Sequence, residues 1–178
     1  MFRVSVVGIS GSGKSTLAAA IADRIGCRHI ELDAIHHQAD WQPKPRDEFR
    51  KAMAPLLDSE RWVVDGNYSS LVQDLVWEAA DTVVWLDLPR RVVMPALVKR
   101  TFVRMATRRE LWNGNRESFS NLFTFDAEEN ILLWSWTRGP ILQTRMEQEV
   151  NDPKWAHLQF VRLRSRREVS GWLNAASG

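Results

Sequence analysis

The residues Gly8-Ile-Ser-Gly-Ser-Gly-Lys-Ser-Thr16 carry the strongest chemistry in this chain. They match G-x-x-x-x-G-K-[ST], preceded by an apolar strand pattern, "RVSVV" (3–7), and followed by a helical one, "KSTLAAAIADRIG" (14–26). Glycines let the backbone curl so that successive N–H groups face a phosphate, and the following helix N-terminus adds partial positive charge. In this reading Gly8, Ser10, Gly11, Ser12, Gly13, Lys14, Ser15 and Thr16 cradle a nucleoside triphosphate. Lys14 reaches the β- and γ-phosphates, Ser15 binds Mg²⁺ and Thr16 contacts the α-phosphate.

Carboxylates at the ends of strand-like runs come next. Asp65 closes "RWVVDG" (61–66), Asp87 closes "DTVVWLDLP" (81–89) and Asp33 closes "RHIELD" (28–33). Either Asp65 or Asp87 could serve a Mg²⁺ ion. Asp87 is the better match to an acid at the end of an apolar string, but it could equally cap the next helix, with Pro89 at its first position. A carboxylate at Asp33 suits a base or orienting group for a hydroxyl. His36 and His37, adjacent on a helix, diverge by about 100° and cannot readily share a metal. They read as pocket-wall or surface residues, and Trp41 and Phe49 either line an apolar pocket or pack. Arg100, Arg104 and Arg108, spaced four apart, form one helical stripe, with Arg109 and Arg116 as further candidates.

These side chains need a scaffold, and the pattern supplies one. Strand-like runs alternate with helical ones: 45–57, 69–80, Arg90 to about Trp112, two stretches near 127–137 and 140–151, and 167–176, with a fifth strand in "HLQFVRL" (157–163). Strands apolar on both faces that alternate with helices predict a parallel sheet covered on both sides. A length of 178 residues suits one domain over 1–178, and 44% apolar residues supply its core. The single Cys27 excludes an internal disulfide. "MFRVSVVG" enters the strand pattern without a signal sequence, and no apolar run approaches the ~20 residues of a membrane helix, so a cytoplasmic protein without membrane contact is expected. The net charge of +2 does not point to nucleic acid, although Arg90–Arg116 holds eight basic residues and one Glu.

Together these stretches resemble a family. One P-loop, five strands and an Arg-rich segment after strand four are similar to the small P-loop kinases such as adenylate, shikimate and uridine kinases. Within them, "ELDAIHHQADWQPKPRDEF" (31–49), "WVVDGNYSS" (62–70), "DTVVWLDLPR" (81–90) and "ELWNGNRESF" (110–119) resemble the adenylate-kinase-like proteins called DNA topology modulation proteins. The resemblance implies a five-stranded parallel sheet of order 2-3-1-4-5, an acceptor-side insertion at about 34–60 and a helical Arg-rich lid at about 95–130. It also implies ATP and Mg²⁺ as cofactors. It favours Asp65, on the strand beside the P-loop strand, as the acid on the Mg²⁺ side. Asp33 sits where uridine and shikimate kinases contact the acceptor hydroxyl, and the lid arginines reach the transferred phosphoryl group. "NGNRES" (113–118) forms the turn of the lid, and the loop "RSRRE" (164–168) flanks the adenine.

One departure matters for the acceptor. In adenylate kinases the strand-three Asp-Gly is followed by Phe-Pro-Arg, whose Arg clamps the acceptor's phosphate; here Asn67 and Tyr68 follow. That favours a hydroxyl-bearing acceptor, unless Lys44, Arg46 or Arg50 restores a clamp. The expected function is an ATP- and Mg²⁺-dependent phosphotransferase acting on a small molecule. The alternative is a nucleotide-dependent regulator that binds DNA or protein through the Arg stripe with Trp112, Phe119 and Phe123. The acceptor and the oligomeric state are left open by the sequence.

Overall fold

A computed structural model describes residues 2–107, 110–116 and 131–175. Five parallel strands, β1 (Arg3–Gly8), β2 (Arg28–Glu31), β3 (Trp62–Asp65), β4 (Thr82–Leu86) and β5 (Gln159–Leu163), form one sheet in the order β2-β3-β1-β4-β5. The order expected from the sequence is the order found. β3 and β4 are buried along their whole length and β1 nearly so, because helices cover both faces, which is why these strands read as continuous apolar runs.

On one face pack α1 (Lys14–Ile25) and, at the C-terminal end, α7 (Arg166–Ala175), around Leu17, Ile21, Val84 and Leu86. On the other, α3 (Arg46–Leu57), α4 (Gln73–Ala79) and α6 (Ile131–Glu149) bury Phe49, Met53, Trp77 and Met146. α5 (Arg90–Ala106) lays Val93, Leu97, Thr101 and Met105 inward at four-residue spacing. No helix among the described residues is long and apolar enough to cross a membrane.

Several expected boundaries shift for identifiable reasons. The expected strand "RHIELD" ends at Glu31, and Leu32–His36 forms a short helix, α2, so Asp33 stands in a helical turn just past the strand. The N–H groups of Leu71, Val72 and Gln73 share the Tyr68 carbonyl in a turn, which delays α4 to Gln73. Pro45 and Pro89 each cap a helix from the position before it, one residue earlier than expected.

The two expected helices flanking Gly139-Pro140 are one continuous α6. Pro140 has no N–H for the Trp136 carbonyl four residues back, and the Arg90 guanidinium donates to that oxygen instead at 2.9 Å while lying over the Trp136 ring. The helix therefore loses one internal hydrogen bond without orphaning a carbonyl.

Candidate functional site

The P-loop joins β1 to α1 with Gly8, Gly11 and Gly13 at positive φ. Gly11 (φ 85°) needs glycine twice over, since a Cβ there would lie 2.8 Å from the Leu97 Cβ of α5. Gly13 accounts for the left-handed turn into α1. The Ser12 hydroxyl is fully buried and has no partner among the described residues, and the Arg166 guanidinium donates to the Ser12 carbonyl at 2.8 Å. A buried hydroxyl of this kind costs stability unless something else bonds it.

Lys14 opens α1. Burial pushes its pKa down, the charges of Asp33 and Asp65 draw it back up, and Arg100 lowers it again. The ammonium thus lies within the field of two carboxylates, one at the end of β3 and one just past the end of β2. Arg100 on α5 is close enough for its charge to be felt at Lys14, and Arg104 follows one turn later; both are half-buried. Arg108 and Arg109 lie outside the described residues.

Asp65 ends β3 directly beside β1, paired with Val6, and is almost wholly buried. The Ser15 hydroxyl donates to its Oδ2 at 2.7 Å, and His29 Nε2 from β2 lies 2.9 Å from its Oδ1. Burial opposes charge on His29, but the hydrogen bond to Asp65 and the carboxylates of Asp65, Glu31 and Asp23 outweigh it, so its pKa is raised. Sequence reading passed over His29. The available signal was its place on the strand adjoining β3, two residues before the end.

The sign of the His29 shift gives a prediction. A histidine whose folded pKa is raised adds stability that is full below its unfolded pKa, near 6.5, and is lost as pH rises through the folded value. Metal-free wild type is expected to melt a few degrees above His29→Gln at pH 5.5, with the gap closing above pH 8. A gap that widens with pH would refute the charged His29–Asp65 pair; thermal unfolding followed by circular dichroism reads it.

Asp87 is occupied differently. Arg162 of β5 donates to its Oδ2 through Nε at 2.9 Å and lies within 2.7 Å through Nη2, while also pairing with Glu147. It neither caps α5, whose cap residue is Pro89, nor bonds a P-loop hydroxyl. A cavity of about 430 Å³ opens beside it, lined in part by Arg90, Met94, Gln143 and Arg162. Apart from Ile9 no P-loop residue lines that cavity, and neither Asp33 nor Asp65 does.

Past Asp65 the two residues of the departure have separate jobs. Gly66 (φ 144°) leaves room for α2, since a Cβ would meet the Leu32 Cβ at 2.7 Å. Asn67 exchanges two hydrogen bonds with Gly8, accepting from its N–H at 3.1 Å and donating to its carbonyl, and so ties the end of β3 to the first P-loop glycine. The Tyr68 hydroxyl donates to Asp33 Oδ1 at 2.7 Å and lies 3.2 Å from His37 Nε2. Burial, then the Asp33 charge and hydrogen bond, push the Tyr68 pKa far up, so it remains a phenol. Burial lowers the pKa of both His36 and His37, against the pull of Asp33.

The aromatics divide between core and wall. Phe49 is fully buried and packs on His36 and Tyr68. Trp41 is half-buried against His37. Residues 110–116 form a small antiparallel loop, bridged between Glu110 and Arg116, that grips a second small loop bridged between His37 and Pro43. Asn115, nearly buried, donates to the Gln38 carbonyl at 2.7 Å and accepts from the Trp41 N–H at 2.9 Å. Asn113 donates to the carbonyls of Ala34 and His37. Trp112 Nε1 donates to Glu31 at 3.0 Å, and its ring lies stacked 6.3 Å from that of His37.

Asn113 and Asn115 fasten their segment to the acceptor-side stretch. Trp41 adopts φ 56°, a strained left-handed conformation for so large a residue, and the bond its N–H donates to Asn115 Oδ1 helps hold it there. Residues 117–119 lie outside the described residues, as does Phe123.

A strand order of 2-3-1-4-5, a phosphate cradle after β1 and an acid on β3 beside it form a set that few folds share. The fold is that of the P-loop kinases. The shikimate kinase from Bacteroides thetaiotaomicron superposes with a TM-score of 0.53 at 14% identity, covering 98% of this chain and 95% of that one. In sequence, the chain is 28% identical to the cytidylate kinase of Pyrococcus horikoshii over 144 residues, which span 71% of this chain and 73% of that protein. A probable gluconokinase of Schizosaccharomyces pombe is 39% identical over 57 residues, 32% of this chain and 26% of its own. No protein-family model matches.

Proposed function

We propose that the protein moves the γ-phosphoryl group of ATP to a hydroxyl of a small acceptor. One observation carries the reading: Lys14 lies in the field of two carboxylates held by different hydroxyls, Asp65 by Ser15 on the P-loop side and Asp33 by Tyr68 on the other. A donor site and an acceptor site converging on one lysine is the arrangement phosphoryl transfer requires. The kinase activities named for the relatives in sequence support it.

The residues present fit a magnesium nucleotide. Ser15 and Asp65 offer hard oxygen donors 2.7 Å apart, and the orphaned Ser12 hydroxyl and the glycine turns suit phosphate oxygens. Mg²⁺, when bound, neutralises charge on those oxygens. Lys14 and Arg100 bind and orient the transferring group, with Arg104 and Arg108 adding cationic charge. Asp33, oriented by Tyr68, accepts the acceptor's proton as its oxygen bonds phosphorus and the bond from phosphorus to the ADP oxygen breaks.

We also read the chain as one domain with an acceptor-side insertion at about 34–60, a lid at about 95–130 and an affinity to the topology-modulation group. Of the aromatics a nucleic-acid surface would present, Trp112 is tied to Glu31 and stacked near His37, which favours the kinase reading. The test is ADP release across a broad panel of hydroxylated compounds, with Asp33→Asn beside wild type. The variant is expected to bind ATP normally while losing about 10²–10⁴-fold of acceptor-dependent turnover. Unaltered turnover removes Asp33 from the mechanism.

A further inference from the structure

We infer that the acceptor is an uncharged, hydroxylated ring compound, seated against the Asp33–Tyr68 pair with its ring face on Trp112 and His37. The inference deepens the kinase reading and rests on it.

Charge comes first. Ser69 stands where the Asp-Gly-Phe-Pro-Arg pattern has its guanidinium, and the hydroxyl of Tyr68 beside it is bonded to a carboxylate. A phosphate or carboxylate brought there would face Asp33, and like charges at short range repel strongly. Two cations of the acceptor segment are placed elsewhere. Arg50 donates to Asp74 at 2.6 Å and to the Leu71 carbonyl at 3.0 Å, and Arg46 is exposed at the start of α3. Lys44 lies beside His36, to whose carbonyl its N–H donates at 2.8 Å, and is the one cation of this segment next to the pocket wall, while Lys14 and Arg100 serve the phosphoryl-donor side.

Hydroxyl groups are what the remaining polar atoms lack. His36 is 8% exposed, yet its Nδ1 has no partner among the described residues, and neither has His37 Nδ1. Both rings touch Tyr68. Two neutral imidazoles with unused nitrogens accept or donate according to tautomer, which suits hydroxyls that can do either.

The ring face follows from the wall. Trp41 and Trp112 are half-buried, and each is held by its polar edge: Trp112 through Glu31, Trp41 through the Arg116 carbonyl at 3.3 Å. Half-buried indoles fixed at the edge present flat apolar area at low entropic cost. Phe49, by contrast, is sealed beneath and unavailable to a ligand.

The experiment uses matched probes: glucose with gluconate and glucose 6-phosphate, and cytidine with cytidine monophosphate, read by ADP release against a Lys14→Ala blank. The neutral member of a pair is expected to give kcat/KM at least about tenfold above its charged counterparts. Preference for a charged member overturns this inference and leaves the kinase reading standing; no ADP release above the blank with any probe sinks both. With the preferred probe, Trp112→Ala should raise the acceptor KM about 10-fold or more, far beyond any change in the ATP KM. Trp112→Phe, which keeps a ring, should recover most of it. An acceptor KM untouched by either substitution removes Trp112 from the pocket.

Discussion

Replacing Lys14 by alanine is expected to lower ATP turnover by about 10³-fold or more. The reason lies in the site's charge balance. Lys14 has given up hydration to sit where Asp33, Asp65 and Arg100 all act on it, so it is poised to exchange those partners for phosphate oxygens. In a pocket poor in water such a charge is worth far more than at the surface. Removing it also takes away the cation whose charge meets both Asp33 and Asp65. Turnover is read by coupled ADP detection and nucleotide affinity by calorimetry. Turnover retained within tenfold would refute the P-loop assignment.

The second large effect separates two acids. Asp65→Asn is expected to cost about 10²–10³-fold in Mg²⁺-dependent turnover and to raise the Mg²⁺ concentration needed for half-maximal rate. Asp65 is buried, bonded to the P-loop Ser15 and braced by His29, so an amide there loses the charge and offers a donor where an acceptor is needed. Asp87→Asn breaks an ion pair with the partly exposed Arg162 instead. Its expected outcome is at most a few degrees in melting temperature, with turnover within about threefold, since such pairs contribute roughly 1 kcal/mol or less. The reverse order of effects would move the Mg²⁺ side to β4. Magnesium titrations of both variants decide it.

What the sequence reveals about this molecule follows from which signals are local. Gly8–Thr16 is legible because the whole motif lies in consecutive residues, and strands apolar on both faces reveal the parallel sheet, while its strand order is what the family resemblance implies. Asp65 against Asp87 is not settled locally, because both end apolar strings. What differs is the neighbour across the sheet, Ser15 for one and Arg162 for the other. His29 is invisible for the same reason, as its partner lies on another strand 36 residues away. Asn67 and Tyr68 stand out in the sequence only as a departure. Their bonds to Gly8 and Asp33 give the departure its meaning, and both depend on β3 lying between β1 and β2. The single α6 escaped prediction because Pro140 breaks a helix by every local rule, and only the distant Arg90 repairs it.

The grip of residues 110–116 on residues 34–41 has a consequence for inheritance and design. Asn113 and Asn115 read backbone atoms across 74 to 79 positions of sequence, so they place no demand on side-chain identity but a strict one on loop path. The side chains of Ala34 and Gln38, of which only the backbone is read, can therefore change while Asn113 and Asn115 stay, and an insertion or deletion in one loop must be matched in the other. A chimera that borrows the acceptor loop of a relative and keeps the native 110–116 would lose the register of both, and a successful transplant has to carry the two as a pair.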